Sequence, residues 1–308
     1  MPLQPIEKCF IAIANKYDAD ILIFVSEVNF LTADEIISLI RKTEDKAKNC
    51  VLILTTWGGD PDAGYRIVKT LKRCYTKFTL FIFGACKSTG TLMALGADEI
   101  VMTEFGEFGP LDVQMVKDDE LSHVSGLTLN QGLFYLSLNL FNSFEAYFLG
   151  LKQRSSNTIT TRTAGDIACK LAIGLISPIA SQIDPNKLGE TQRAITIAAE
   201  YGKRLTDKQD LINRLMSDYP SHGFVIDIDE SKEIFSNVKD AEKEENELEQ
   251  LLFNRVRKEN DDKLIQLYSK HILLHLEEKS KEEDSKLIKD EKVPVPSDTP
   301  GESEPPQD

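Results

Sequence analysis

Four short apolar runs punctuate the first third of the chain: residues 20–25 (DILIFV), 51–56 (VLILTT), 78–83 (FTLFIF) and 98–102 (DEIVM). Each is nearly continuous rather than alternating, the pattern of strands buried on both faces. Between them apolar residues recur at helical spacing. Residues 6–18 predict one helix. Thr32 with Glu35 predicts a capping box opening a second, followed by Ile36, Ile37, Leu39 and Ile40. Ala63, Ile67, Val68, Leu71, Cys74 and Tyr75 predict a third. Strands alternating with helices imply right-handed βαβ units, a mostly parallel sheet and helices on both of its faces. Chemistry in such sheets sits beyond the C-terminal ends of the strands.

The later chain reads differently. Residues 103–115 predict a structured loop, and 131–153, 164–182, 188–201 and 207–217 are helical by pattern. Residues 219–238 form a compact mixed segment ending in a short helix. Residues 240–283 are rich in Glu and Lys with intermittent Leu, which predicts a solvated helix or coil. The tail to residue 308 is Pro-, Glu- and Ser-rich, the composition of a disordered segment.

Two turns follow strand ends and should face the same side of the molecule. The first carries Gly58-Gly59, and the second is Lys87-Ser88-Thr89-Gly90, at the start of an apolar helix-like stretch. A serine on a strand-to-helix turn has two uses: an N-cap, or a nucleophile beside the positive end of the helix. A glycine pair is either a tight turn or a place where backbone N–H groups turn toward a ligand. The glycines form neither GxGxxG nor GxxxxGK[ST], so nucleotide binding has no motif.

Composition narrows the classes. The net charge is −14, which argues against a nucleic-acid partner, because phosphate contacts need a basic surface. Five cysteines at positions 9, 50, 74, 86 and 169 lack any CxxC spacing, indicating neither a zinc ribbon nor a disulfide framework. The N-terminus lacks the pattern of a signal peptide. No run approaches the ~20 apolar residues of a membrane span, and residues 171–183 read as a core or subunit-interface helix. The expectation is a cytoplasmic protein without a transmembrane segment, peripheral membrane association remaining open.

Three segments carry a family resemblance: Thr56-Trp57-Gly58-Gly59, the stretch from Lys87-Ser88-Thr89-Gly90 through Leu95-Gly96-Ala97-Asp98 to Met102, and Phe108-Gly109-Pro110-Leu111-Asp112-Val113-Gln114. Tyr219-Pro220-Ser221-His222 is a weaker fourth. Together they resemble the ClpP/crotonase superfamily, and within it the SDH-type serine proteinases, relatives of signal peptide peptidase A. The resemblance spans roughly residues 5–238. It implies that Ser88 is the nucleophile and that the Gly59 and Thr89 N–H groups form the oxyanion hole. It also implies an α/β fold of ClpP/crotonase type, a ββα superhelix with a mostly parallel sheet, and a homo-oligomer.

The base departs from the Clp pattern. About two dozen residues beyond the serine, where the Clp subunit has a histidine, this chain has Gly109-Pro110-Leu111-Asp112. A serine hydroxyl without a proton acceptor is a weak nucleophile. His222, in the segment resembling the SDH-type Ser/Thr-His element, is the first candidate, with Asp112 to orient it. The bland readings are a turn-capping histidine and an Asx-bonded loop aspartate. Lys152, near the end of an amphipathic helix, is the alternative base, unless it is simply solvated. Lys87 reads as a positioning or surface residue, and His123 as exposed. His271 and His275 have metal-ligand spacing but no third ligand in sequence, and no cofactor or metal is expected. Trp57 is either a groove wall or core packing.

The reading is a serine peptidase domain over residues 1–238, a charged helical extension over 239–283 and a disordered acidic tail over 284–308. It cleaves a peptide or protein substrate through a Ser88 acyl-enzyme. Two alternatives stand beside it: an inactive scaffold recruiting a partner through its acidic C-terminal region, and a crotonase-type acyl-CoA enzyme.

Overall fold

A computed structural model of the chain describes residues 3–111, 114–116, 123–221, 223–256 and 263–290. The order of elements is α1 (Pro5–Tyr17), β1 (Ala19–Val25), α2 (Phe30–Lys42), β2 (Asn49–Thr55), α3 (Pro61–Cys74), β3 (Phe78–Ile82), β4 (Ala85–Cys86), α4 (Thr89–Ala94), β5 (Glu99–Met102), β6 (Glu107–Phe108), β7 (Gln114–Val116) and β8 (His123–Ser125). There follow α5 (Gly126–Arg154), α6 (Thr161–Ala180), α7 (Pro185–Leu205), α8 (Gln209–Ser217), α9 (Ile228–Ile234), β9 (Val238–Asp240), α10 (Lys243–Val256), β10 (Leu264–Tyr268) and α11 (Lys270–Asp290).

The expected α/β architecture is present. The main sheet has the order β10-β1-β2-β3-β5-β9. The pairings from β1 through β9 are parallel, and β10 lies antiparallel on β1. Period-two alternation divides the strand side chains between two cores. Leu22, Phe24, Leu52, Leu54, Leu80, Ile82, Ile100 and Met102 join Ile36, Ile40, Ile67 and Leu71 of α2 and α3 on one face. Ile21, Ile23, Val51, Ile53, Phe81, Phe83 and Val101 join Phe10 and Ile13 of α1 on the other. Continuous apolar strands arise because both faces are covered.

Two expectations are corrected. The second helix begins at Phe30, with Asn29 as its cap: Asn29 Oδ1 accepts from Thr32 N at 3.0 Å and Thr32 Oγ1 accepts from Asn29 N at 2.9 Å. Thr32 is therefore the third helical residue of a capping box, not its cap. The stretch read as a solvated helix or coil after residue 240 instead joins the core. Leu248 and Leu252, four apart on α10, and Leu273 of α11 are buried in the second cluster, and β10 extends the sheet. Charged residues around those leucines mask the apolar stripe.

Buried polar groups pin this C-terminal return. Asp20 Oδ2 accepts from Tyr75 Oη at 3.0 Å and Ala47 N at 3.2 Å, while Oδ1 accepts from Lys270 N at 2.9 Å. Glu245, its carboxylate buried, accepts from Tyr17 Oη at 2.7 Å and pairs with Lys16 Nζ at 2.9 Å. Burial pushes its carboxyl up, but the bonds from Lys16 and Tyr17 outweigh this and hold it below the usual carboxylate range.

The α5–α6 hairpin projects a different surface. Phe134 and Phe141 are 67% and 64% exposed, and Leu171, Ile173 and Leu175 of α6 are also exposed. By length and composition α6 is apolar enough to cross a membrane. Asp166 and Lys170 interrupt its apolar residues, so the expectation of no run of that length is corrected.

Candidate active site

The two conspicuous turns meet at the C-terminal end of the parallel strands, as the βα alternation predicts. Backbone bonds join them: Thr56 N donates to Ala85 O at 2.8 Å and Lys87 N donates to Thr56 O at 2.9 Å. Gly58 and Gly59 both have positive φ, +118° and +132°. A Cβ on Gly59 would lie 2.0 Å from Val28 O, and one on Gly58 would lie 2.8 Å from Ser88 Cβ and 3.3 Å from Ser88 Oγ. The glycines are required by φ and by space alike. The bare Gly58 backbone leaves the room that the Ser88 side chain occupies.

Ser88 stands between β4 and α4 with φ +49° and ψ −109°. This region is costly for a residue with a Cβ, about 1–3 kcal/mol. Its side chain makes no capping bond to the helix, so the N-cap reading does not describe it. The turn places the hydroxyl toward the Gly58 backbone instead.

Gly59 and Thr89 are brought together. Thr89 Oγ1 donates to Gly59 O at 2.6 Å, and a Cβ on Gly64 of α3 would lie 2.4 Å from Thr89 Cγ2. Among the described residues neither the Gly59 N–H nor the Thr89 N–H has an acceptor. Thr91 Oγ1 lies 3.0 Å from Cys86 O and 2.8 Å from Gly109 O, its single proton shared between the two carbonyls, fastening the Gly109-Pro110-Leu111 loop against the same turn.

Sequence reasoning undervalued Lys87. It is 2% exposed, which corrects its reading as a surface residue. Its Nζ donates to Phe108 O at 3.0 Å and Phe224 O at 3.3 Å and pairs with Glu107 Oε1 at 3.3 Å. Burial holds its ammonium below the ordinary lysine range, with Glu107 opposing. No local signal marks a lysine beside a polar turn for burial, because its acceptors lie 21 and 137 positions away.

The other expected residues are spread out. Asp112 and His222 lie outside the described residues. Lys152 lies in the last turn of α5, where its Nζ donates to Ile159 O at 3.0 Å across the connection to α6. Trp57 is 57% exposed beside the glycine pair, so it is not core packing. His271 and His275 lie on the exposed side of α11. Glu242, Glu244 and Glu245 bring carboxylates close enough to hold a cation, but Lys16 Nζ lies within 3.1 Å of all three and answers their charge.

No curated protein matches the chain. Among solved structures it is similar to a variant of a membrane-bound, stomatin-specific protease, with 19% identity and a TM-score of 0.29, over 46% of this chain and 64% of that one. The chain thus spans less than two thirds of that structure's own length. Residues 17–128 match the family described as ClpP-like SDH-type serine proteinase. That match contains the glycine pair, Ser88 and the loop following it, and excludes Lys152 and His222. Over residues 17–128 the chain is thus similar to the ClpP-like SDH-type serine proteinases.

Proposed function

We propose that the protein is a serine peptidase whose nucleophile is Ser88. The observation that carries this reading is the Ser88 backbone, held at φ +49° by two interlocked turns with its side chain released from capping. Strain of this kind persists only where surrounding structure enforces it, and it clusters at reacting residues. A strained strand-to-helix turn presents a serine hydroxyl in the same way in other hydrolases.

In this reading Ser88 Oγ attacks the carbonyl carbon of the scissile amide and its proton passes to the base. Charge develops on the carbonyl oxygen and is met by the Gly59 and Thr89 N–H groups. The base returns the proton to the leaving amine as the C–N bond breaks, and water then hydrolyses the ester at Ser88. His222 oriented by Asp112 is the proposed base, and Lys152 the alternative. The exposed Trp57 indole forms one wall for the substrate. The protein works as a homo-oligomer, with the exposed apolar α5–α6 face meeting a second copy; sedimentation of Phe141→Glu should report a smaller assembly than the parent.

Labelling with a fluorophosphonate tests the chemistry. One adduct per chain, lost in Ser88→Ala, is expected. Loss in His222→Ala with retention in Lys152→Ala identifies the base. A folded protein that stays unlabelled and binds coenzyme A in calorimetry would replace the peptidase reading with the acyl-CoA one.

A further inference from the structure

Lys87 raises a question that the nucleophile beside it does not answer. A buried ammonium is costly unless each of its donors is satisfied. Lys87 has three donors and three acceptors: Phe108 O, Phe224 O and the Glu107 carboxylate. Those acceptors belong to segments remote from one another in sequence. Glu107 and Phe108 form β6, which pairs with β4 immediately before the Ser88 turn. Phe224 follows the Tyr219-Pro220-Ser221-His222 stretch. Phe108 and Ile226 exchange backbone bonds of 2.9 and 3.0 Å, so the Phe108 carbonyl accepts from both Ile226 N and Lys87 Nζ. At its own backbone Lys87 is fixed too: its N donates to Thr56 O at 2.9 Å and its O accepts from Gly90 N at 2.8 Å.

We infer that Lys87 is a positioning residue that clamps the 224–226 segment and β6 to the nucleophile turn. Through it the backbone at Phe224 and Ile226 is tied to the position of Ser88. Two carbonyl acceptors from separate segments are what such a clamp needs, because each must stay in place for the ammonium to remain satisfied. Glu107 alone would supply only an ion pair. The consequence for reactivity rests on the reading of Ser88 as nucleophile; the clamp itself does not.

The test compares Lys87→Met, which keeps the aliphatic stem and removes the donors, with Lys87→Arg, whose planar fork keeps charge but cannot meet the same three acceptors. The first readout is amide hydrogen exchange at Phe108 and Ile226 in the full chain, and the second is the rate of fluorophosphonate labelling across pH. The inference predicts exchange at both amides at least tenfold faster in Lys87→Met while amides of β1 and β2 are unchanged. Labelling should slow at least tenfold, with a displaced pH midpoint. Lys87→Arg should fall between parent and Lys87→Met in both readouts, and it decides the matter if Lys87→Met does not fold. Parental exchange and labelling in the variants would reduce Lys87 to a buried, satisfied cation. If the parent protein itself takes no label, the serine reading fails, while the exchange readout still decides the clamp.

Discussion

The two ends of the parallel sheet treat their buried polar groups in opposite ways. At the N-terminal end Asp20 collects three donors, from Ala47, Tyr75 and Lys270. The aspartate is fully buried and each of its oxygens is bonded. At the C-terminal end Ser88 is strained at φ +49° and the Gly59 and Thr89 N–H groups have no acceptor among the described residues. The first end uses its polar groups to join β1 to the loop before β2, the end of α3 and the start of α11. The second leaves two N–H groups unbonded among the described residues, beside the side chain proposed as nucleophile. A strained backbone and unbonded N–H groups side by side are what a functional site, rather than a structural one, leads one to expect.

Breaking the closed end should cost the most stability. Asp20→Ala leaves the Tyr75 hydroxyl and the Lys270 N–H without their acceptor in the core. We expect a loss of about 2–5 kcal/mol, since each buried donor left unsatisfied costs about 1–3 kcal/mol. A shifted urea midpoint would show it, while the labelling rate of the remaining folded protein should be unchanged. Slower labelling of the folded fraction would mean that the two ends are coupled.

Breaking the open end should do the reverse. Gly58→Ala puts a Cβ within 2.8 Å of Ser88 Cβ at a φ of +118°. Labelling should fall on the order of 10²–10³-fold, as for loss of one oxyanion-hole donor. Thermal unfolding should move by only a few degrees.

Acid sharpens the comparison. Glu245 and Glu99 are both pushed up by burial and pulled down further by their partners, Lys16 and Tyr17 for one and Lys239 and Lys77 for the other. Their folded pKa values lie below the unfolded ones. The stabilisation is therefore complete above the unfolded carboxylate pKa of about 4.3 and is lost as pH falls through the folded values. Urea midpoints should drop in this acid window, and the drop should be shallower in Glu245→Gln.

The smallest effect concerns the strain. Ser88→Gly adopts φ +49° without penalty, whereas Ser88→Ala keeps the cost. The glycine variant should be the more stable of the two by about 1 kcal/mol, read as a higher melting temperature. Equal temperatures would mean that the backbone at Ser88 stores nothing.

Much of this was legible in the sequence, and the misses have physical causes. Residues 20–25, 51–56, 78–83 and 98–102 declare themselves because strands covered on both faces need unbroken apolar runs. The two-residue strands β4 and β6 are too short for any period to show. β10 carries mixed residues because it is an edge, and the Leu248–Leu252 stripe is diluted by Glu and Lys. At the site, Ser88, Gly59 and Thr89 stood out through motif resemblance, and their mutual approach follows from consecutive βα turns. The burial of Lys87 did not stand out, since it depends on carbonyls contributed by residues 108 and 224.

The account turns on whether the strained serine reacts. Intact-mass measurement after fluorophosphonate treatment, on the parent and on Ser88→Ala with matched circular dichroism, tests this directly. One adduct per parent chain, mapped to Ser88 and absent from Ser88→Ala, is the predicted result; an unmodified folded parent, or an adduct that persists in Ser88→Ala, would contradict it.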